Sequence, residues 1–498
     1  MSKRVVLPVL LPVVLISLLA SCGLPTPLVP AETQLPSATA LPSETPLPPE
    51  TSTPFPTLTP EFERPQYTID LQFNYSSKAA IVNQTITYPN WTGEILTNIV
   101  LAVEPNLWSG GFSLKSLDVN DSPVANYILD GQKLVIPLPQ TLPHSGTATI
   151  TMKYSLILPK MQAYSDPNEI RPQIYGFSDR QINLVDWYPF VVPHLSGQGW
   201  VLHNPWFYGE HLIYDEADFD VTVTFADGST PQIASSGAEV ASGSATSRKF
   251  ELEAGRTFAL SFSTVYKVAK QTVNGVAVFA YFFSFYDAQG EALLETTVQA
   301  LQVFGEKFGP YRQKTLTAVQ GDFNDGMEFS AFYFISRDYF NLYDNTPKNY
   351  MVTIGAHETA HQWWFDTVAN DQAIEPWLDE ALATYSERIY YESVYPDLVD
   401  WWWGYRYFEF QQAGFVDTQV YDGGGQRPYW DKVYLTGARF FEDLRKRVGD
   451  EIFFAFLKDY YDQYAGQRAA GADFFRVFRE HTATDISDLM TKYFQKIY

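Results

Sequence analysis

The chain has 498 residues and a single cysteine, Cys22, so no disulfide can form within it. Any exported location must be tolerated without that cross-link. Positive charge is also scarce: 34 Lys and Arg stand against 57 Asp and Glu, a net charge of −23. So acidic a chain has little to offer nucleic acid phosphates or an anionic lipid surface, and nucleic acid is excluded as a partner. Beyond residue 22 no run is long and apolar enough to span a bilayer. Histidine is rare, with seven in the whole chain, while Trp and Tyr are plentiful at 12 and 32.

The lone cysteine has a context. Lys3 and Arg4 precede an apolar stretch from Val5 to Leu18, and Leu19-Ala20-Ser21-Cys22 reads as a bacterial lipobox. The stretch is short for a spanning helix and contains Pro8 and Pro12. Residues 1–22 are therefore expected to be a lipoprotein signal, with Cys22 as the lipidated residue after cleavage. Residues 23–62 are rich in Pro, Thr and Ser and cannot bury a core, so they are expected to form an extended tether. Together these segments place the rest of the chain at the bacterial cell envelope, facing outside the cytoplasm and held to the membrane by lipid.

The hydrophobic period then changes along the chain. Tyr67, Ile69, Leu71, Phe73 and Tyr75 alternate with Thr68, Asp70, Gln72 and Asn74, which predicts a half-buried strand. Phe219, Val221, Val223 and Phe225 alternate likewise, with Asp227-Gly228 as a turn behind them. Similar short strands fill 63–268, which is expected to be an antiparallel β domain. From 269 onward, Leu294, Val298, Leu301, Phe304 and Phe308 recur at helical spacing until Gly309-Pro310 stops the helix. Further helices are expected over 436–447, 450–464, 472–481 and 485–496. The fold class is α+β, with a mainly helical second domain over 269–498.

In that second domain, His357-Glu358-Thr359-Ala360-His361 is separated from Glu380 by eighteen residues. Imidazoles at i and i+4 share one face of a helix, one turn apart, and can reach the same metal ion. The apolar positions from Met351 to Trp364 suit a buried helix, and Pro376 restarts a helix just ahead of Glu380. A hydrolytic Zn²⁺ takes three protein ligands and keeps a fourth position open for water. His357, His361 and Glu380 supply such a set for one ion. Glu358, between the histidines, is turned toward the water rather than the metal, where a general base belongs.

With HETAHQWW at 357–364 and WLDEALATYSE at 377–387, the chain resembles the M1 family of zinc metallopeptidases, the gluzincin aminopeptidases. Trp187-Tyr188-Pro189, Gly199-Trp200 and the stretch from Ala217 to Thr224 resemble the family's saddle-like N-terminal β domain. The resemblance implies that domain followed by a thermolysin-like catalytic domain, zinc ligands His357, His361 and Glu380, and Glu358 as general base. Tyr434-Leu435-Thr436-Gly437-Ala438 is similar to the family segment whose tyrosine stabilises the oxyanion, so Tyr434 is implied as that donor, with Tyr429 as runner-up. The family's Gly-x-Met-Glu-Asn strand, whose Glu binds the substrate ammonium, corresponds to Asp325-Gly326-Met327-Glu328-Phe329. Glu328 keeps the amine-binding position; Asp325 and Phe329 replace the leading Gly and closing Asn. Many members add a helical domain after the catalytic one, and this chain ends before one could begin.

The implied activity is hydrolysis of peptide bonds, with removal of N-terminal residues from peptide substrates. Asp325 and Phe329 leave open a zinc peptidase without free-amine specificity. A third reading is a non-catalytic surface binding protein on a peptidase fold. The intact Glu358 opposes it, because a binding module has no need of a base between its zinc ligands.

Overall fold

In the computed structural model, residues 64–161, 173–408 and 414–498 are described. The signal over 1–22 with Cys22 and the tether over 23–62 lie outside the described residues.

Alternation in sequence becomes alternation in burial. In the strand Gln66–Asn74, Tyr67, Ile69, Leu71 and Phe73 are buried while their neighbours face outward. This strand lies inside an eight-stranded sheet, antiparallel to Ala79–Pro89 and parallel to Ala217–Phe225. The parallel register sets Tyr67 beside Phe219, and their rings stack at 5.1 Å. Two four-stranded sheets and a two-stranded ribbon, His194–Leu195 with Gly199–Trp200, complete this β half. Trp187 is fully buried in this half, and its indole N–H donates to the Phe258 carbonyl at 3.0 Å.

The expected boundary at 268/269 falls inside a strand. Tyr266–Val273 pairs along its whole length with Val276–Phe283. The pair opens a mixed five-stranded sheet that runs through Thr315–Gln320 and Phe332–Ile335 to the edge strand Met327–Phe329. Periodicity hides such strands. Every residue of Thr315–Gln320 is buried, so no alternation of period two is left to read.

Helices cover this sheet. Asp287–Lys307 packs against Tyr350–Ala360, which packs against Glu380–Val394, which in turn packs against Gly437–Val448. Asp450–Tyr464 and Gly471–His481 sit where expected, whereas the last helix, Ser487–Tyr493, is shorter at both ends. The architecture is thus a mostly antiparallel β half followed by a helical half, an α+β fold.

A buried arginine crosses the seam between the halves. Arg256 is 3 % exposed and donates to the carbonyls of Asp366 at 2.8 Å, Tyr214 at 3.2 Å, Thr367 at 3.2 Å and Gln467 at 3.0 Å. Among the described residues, no helix is long and apolar enough to cross a membrane.

Candidate active site

The helix Tyr350–Ala360 begins with a cap: the Asn349 side chain accepts the Val352 N–H at 3.2 Å. It ends at Ala360, with His361 as C-cap, rather than continuing to Trp364. The His361 N–H still donates to the His357 carbonyl at 3.3 Å, so the two imidazoles keep their i, i+4 relation. Pro376–Leu378 forms one 3₁₀ turn, after which the second helix starts at Glu380 itself, with the Asp379 carboxylate accepting the Glu380 N–H at 2.8 Å. Glu380 therefore projects from the first turn of its helix onto the histidine face.

The three side chains meet in a tight triangle. His357 Nε2 lies 3.2 Å from Glu380 Oε2 and 3.2 Å from His361 Nε2, and His361 Nε2 lies 3.5 Å from Glu380 Oε2. A tetrahedral Zn²⁺ with bonds of about 2.0–2.1 Å needs ligand atoms about 3.3–3.4 Å apart, so the donor set fits that ion. Both imidazoles are fixed from behind. His357 Nδ1 is 2.9 Å from Glu387 Oε1, and His361 Nδ1 is 3.1 Å from the Trp364 carbonyl. Nδ1–H donation to these acceptors leaves each Nε2 lone pair free for a metal.

The electrostatics also ask for a cation. Burial opposes ionisation of Glu380, but His361 and His357 outweigh it and hold its carboxyl well below the usual range. Burial would lower His361, yet Glu328 and Glu380 hold it well above its ordinary value. Burial pushes the Glu358 carboxyl well up, against the pull of His361 and with added repulsion from Glu328 and Glu380. Glu358 Oε2 is buried with no hydrogen-bond partner. Its Oε1 lies so close to the backbone that a Cβ at Gly326 would stand 2.2 Å from it. Only glycine leaves that carboxylate its place.

Tyr434 rises from a π-helical turn, Asp431–Thr436. Its ring stacks on that of His357, with centroids 5.9 Å apart and planes 7° from parallel. Burial, with Glu380 nearby, keeps its phenol well above the usual value and so protonated. Gly437 brings this turn onto the second helix, since a Cβ there would be 2.3 Å from the Ala381 Cβ. Tyr434 lines the cleft of about 740 Å³ that also holds His357, Glu358, His361 and Glu380, whereas Tyr429 does not.

Glu328, on the edge strand, is 3 % exposed and accepts from Gln372 Nε2 at 3.0 Å. Gln362, one residue past His361, clamps that strand to the first helix: it donates to the Phe329 carbonyl at 3.1 Å and accepts the Ala331 N–H at 2.8 Å. Phe329 is 2 % exposed and packs among Phe332 and Phe334.

Several residues join the site without having been singled out by sequence. A carboxylate oxygen of Glu210, from the β half, lies within 4.8 Å of oxygens on Glu328 and Glu380. Glu387 carries a second load besides His357, accepting from Arg406 Nε at 3.0 Å, Arg406 Nη2 at 3.0 Å and Trp402 Nε1 at 3.0 Å. Burial raises the Glu387 carboxyl, but Arg406 and His357 prevail and keep it ionised.

Comparison with known proteins agrees with this geometry. The family model described as "Peptidase family M1 domain" matches residues 292–493. The match covers less than half of the chain and marks a likeness to M1 peptidase domains. Aminopeptidase M1-D of Oryza sativa subsp. japonica is 25 % identical over 224 residues, 42 % of this chain and 26 % of its own length. Aminopeptidase N of Lactobacillus delbrueckii subsp. lactis is 27 % identical over 164 residues, 30 % of this chain and 19 % of its own. The chain thus spans about a quarter or less of the length of these curated relatives. The M1 zinc metallopeptidase of Deinococcus radiodurans, as a mutant bound to a Tyr-Ser-Ala substrate, superposes with a TM-score of 0.63 at 18 % identity, covering 88 % of this chain and 95 % of its own. The fold of that protein is therefore shared over both halves, and His357, His361 and Glu380 lie inside the segment that the family model matches.

Proposed function

We propose that the chain is a zinc-dependent aminopeptidase that holds one ion and removes N-terminal residues from peptides. The observation that carries this reading is the triangle of His357, His361 and Glu380 ligand atoms, with the unpartnered Glu358 carboxylate oxygen beside it. Those three residues would hold the zinc, which when bound supplies a Lewis acid for the scissile carbonyl and for water. Glu358 Oε2 accepts the proton of the attacking water, and its burial-raised affinity for that proton suits it to pass the proton on to the leaving amine. Tyr434 donates its phenolic O–H to the oxyanion. Glu328 and Glu210 face the same cleft and hold the substrate ammonium, so a free N-terminus sets which bond is presented. The likeness to the rice and Lactobacillus aminopeptidases and to the substrate-bound Deinococcus zinc metallopeptidase supports the reading.

Location is proposed from sequence alone. Cys22 carries lipid, and the Pro/Thr/Ser-rich tether holds the enzyme at the bacterial envelope, facing outside the cytoplasm.

The test pairs peptides with free and acetylated N-termini, using wild type and Glu358→Gln with zinc content measured in both. Free-amine peptides are expected to be cleaved at least about tenfold faster than acetylated ones. Glu358→Gln is expected to retain one zinc and lose about 10²- to 10⁴-fold in kcat/KM. A free-to-acetylated ratio near one would leave a zinc peptidase without amine specificity. Full zinc with no cleavage by either protein would leave a binding protein.

A further inference from the structure

A second cavity, of about 1250 Å³, lies against the catalytic cleft. The two share Gly209, Glu210 and Glu328, so the carboxylates assigned to the substrate ammonium form the wall between them. A peptide whose ammonium sits at that wall can direct its first side chain into the second cavity.

The character of this cavity is divided. At its mouth Leu107, Trp206 and Phe207 are 41, 37 and 61 % exposed, large apolar side chains of the kind that line binding grooves. Deeper, the rings of Trp108 and Tyr175 lie 4.9 Å apart. Phe365 lines it with φ 145°, a left-handed backbone that costs a non-glycine residue free energy and that collects at ligand sites. Against these apolar walls stands Glu104. It is 8 % exposed, and its Oε1 has no hydrogen-bond partner. His211 Nε2, itself buried without a hydrogen-bond partner, is 3.8 Å from that oxygen, within ion-pair range but outside hydrogen-bond distance. A buried carboxylate oxygen without a donor is costly until one arrives. The described lining residues include further carboxylates at Asp186, Glu210 and Glu328, and no Lys or Arg.

We propose that this cavity receives the side chain of the substrate's N-terminal residue and that Glu104 makes it select lysine or arginine. The methylene stem packs along Trp108 and Phe365, and the ammonium or guanidinium supplies the donor that Glu104 Oε1 lacks. A neutral side chain of the same length fills the walls and leaves that oxygen unpaired. An acidic one meets like charge. The assignment rests on the aminopeptidase reading and specifies its substrate class.

The experiment uses otherwise identical peptides beginning with Lys, Arg, norleucine, Phe or Glu, assayed for kcat/KM with the zinc-loaded full chain and with Glu104→Gln. Wild type is expected to favour Lys and Arg over norleucine by about tenfold or more, as a charge-assisted hydrogen bond in a dry pocket allows. In Glu104→Gln the Lys-to-norleucine ratio is expected to fall by about tenfold. A wild type that prefers norleucine or Phe to Lys overturns the assignment and leaves the aminopeptidase reading standing. An unchanged ratio in Glu104→Gln does the same. No cleavage of any free-amine peptide overturns the aminopeptidase reading and this assignment with it. If Glu104→Gln does not fold, the wild-type ranking alone decides.

Discussion

Two clusters of buried charge sit five residues apart in the chain, one at His361 and the other at Asp366, and the protein settles them in opposite ways. At the seam, Asp366 is 2 % exposed and lies within the field of Arg256 and Arg312, while Arg312 also pairs with Glu216 at 2.7 Å. There the chain's own cations pair with Glu216 and offset part of the burial of Asp366. Around the histidines, Glu328, Glu358, Asp379 and Glu380 are equally buried. The two arginines lining that cleft, however, are paired with other acids, Arg406 with Glu387 and Arg427 with Asp431. Buried titratable groups alone do not mark a site of chemistry. An unanswered surplus of one sign does.

Substitutions in each cluster should separate the two roles, activity from stability. The largest effect is expected from Tyr434→Phe, which removes one O–H from the acid-rich cleft. It should lower kcat/KM about 10²- to 10³-fold, with zinc content and thermal midpoint unchanged. A fall of less than about threefold would give the oxyanion role to another group. Glu387→Gln blurs the contrast, because Glu387 both orients His357 and neutralises Arg406. Zinc affinity, read by competition with a chelator, should drop about 10- to 100-fold, and stability should fall as Arg406 loses its buried partner. Unchanged zinc affinity would make Glu387 a partner of Arg406 alone.

The smallest effect belongs to the seam. Burial pushes the Asp366 carboxyl up to about 6, against the pull of its Ser330 hydrogen bond and Arg256. The folded value lies above the unfolded one of about 3.9. Its contribution to stability is therefore complete below about pH 4 and is lost as pH rises through about 6. Asp366→Asn should be more stable than wild type at pH 8, by something on the order of 1–3 kcal/mol in urea denaturation. That advantage should vanish below about pH 4, with zinc content unaffected. A difference that stays constant with pH would show that Asp366 ionises normally.

How far the site can be read from sequence depends on how local its parts are. His357, Glu358 and His361 share one helical turn, and Glu380 opens the next long helix, so spacing alone brings them together. Glu387 is legible on the same terms: it lies seven residues past Glu380, two turns along one face. Glu104 and Glu210 have no such signal. They come from a 3₁₀ turn at Glu104–Leu107 and from an irregular stretch of the β half, and only tertiary folding carries them to the edge strand. The β half is legible where one face is wet, as in Gln66–Asn74. The buried sheet of the helical half is not, because strands covered on both faces lose their period.

The segment that matches the M1 domain begins at residue 292, yet the site cannot be transplanted from there. Thr315–Gln320 hydrogen-bonds alongside Val276–Phe283, which lies upstream of that point, and a piece cut at 292 would bare the sheet edge to other chains. The same cut would discard Arg256, leaving the carbonyls of Asp366, Thr367 and Gln467 without the donor that now ties them together. It would also discard Gly209 and Glu210, two of the three residues that the two cavities share. For grafting or truncation the portable unit therefore includes the β half at least as far upstream as Gly209.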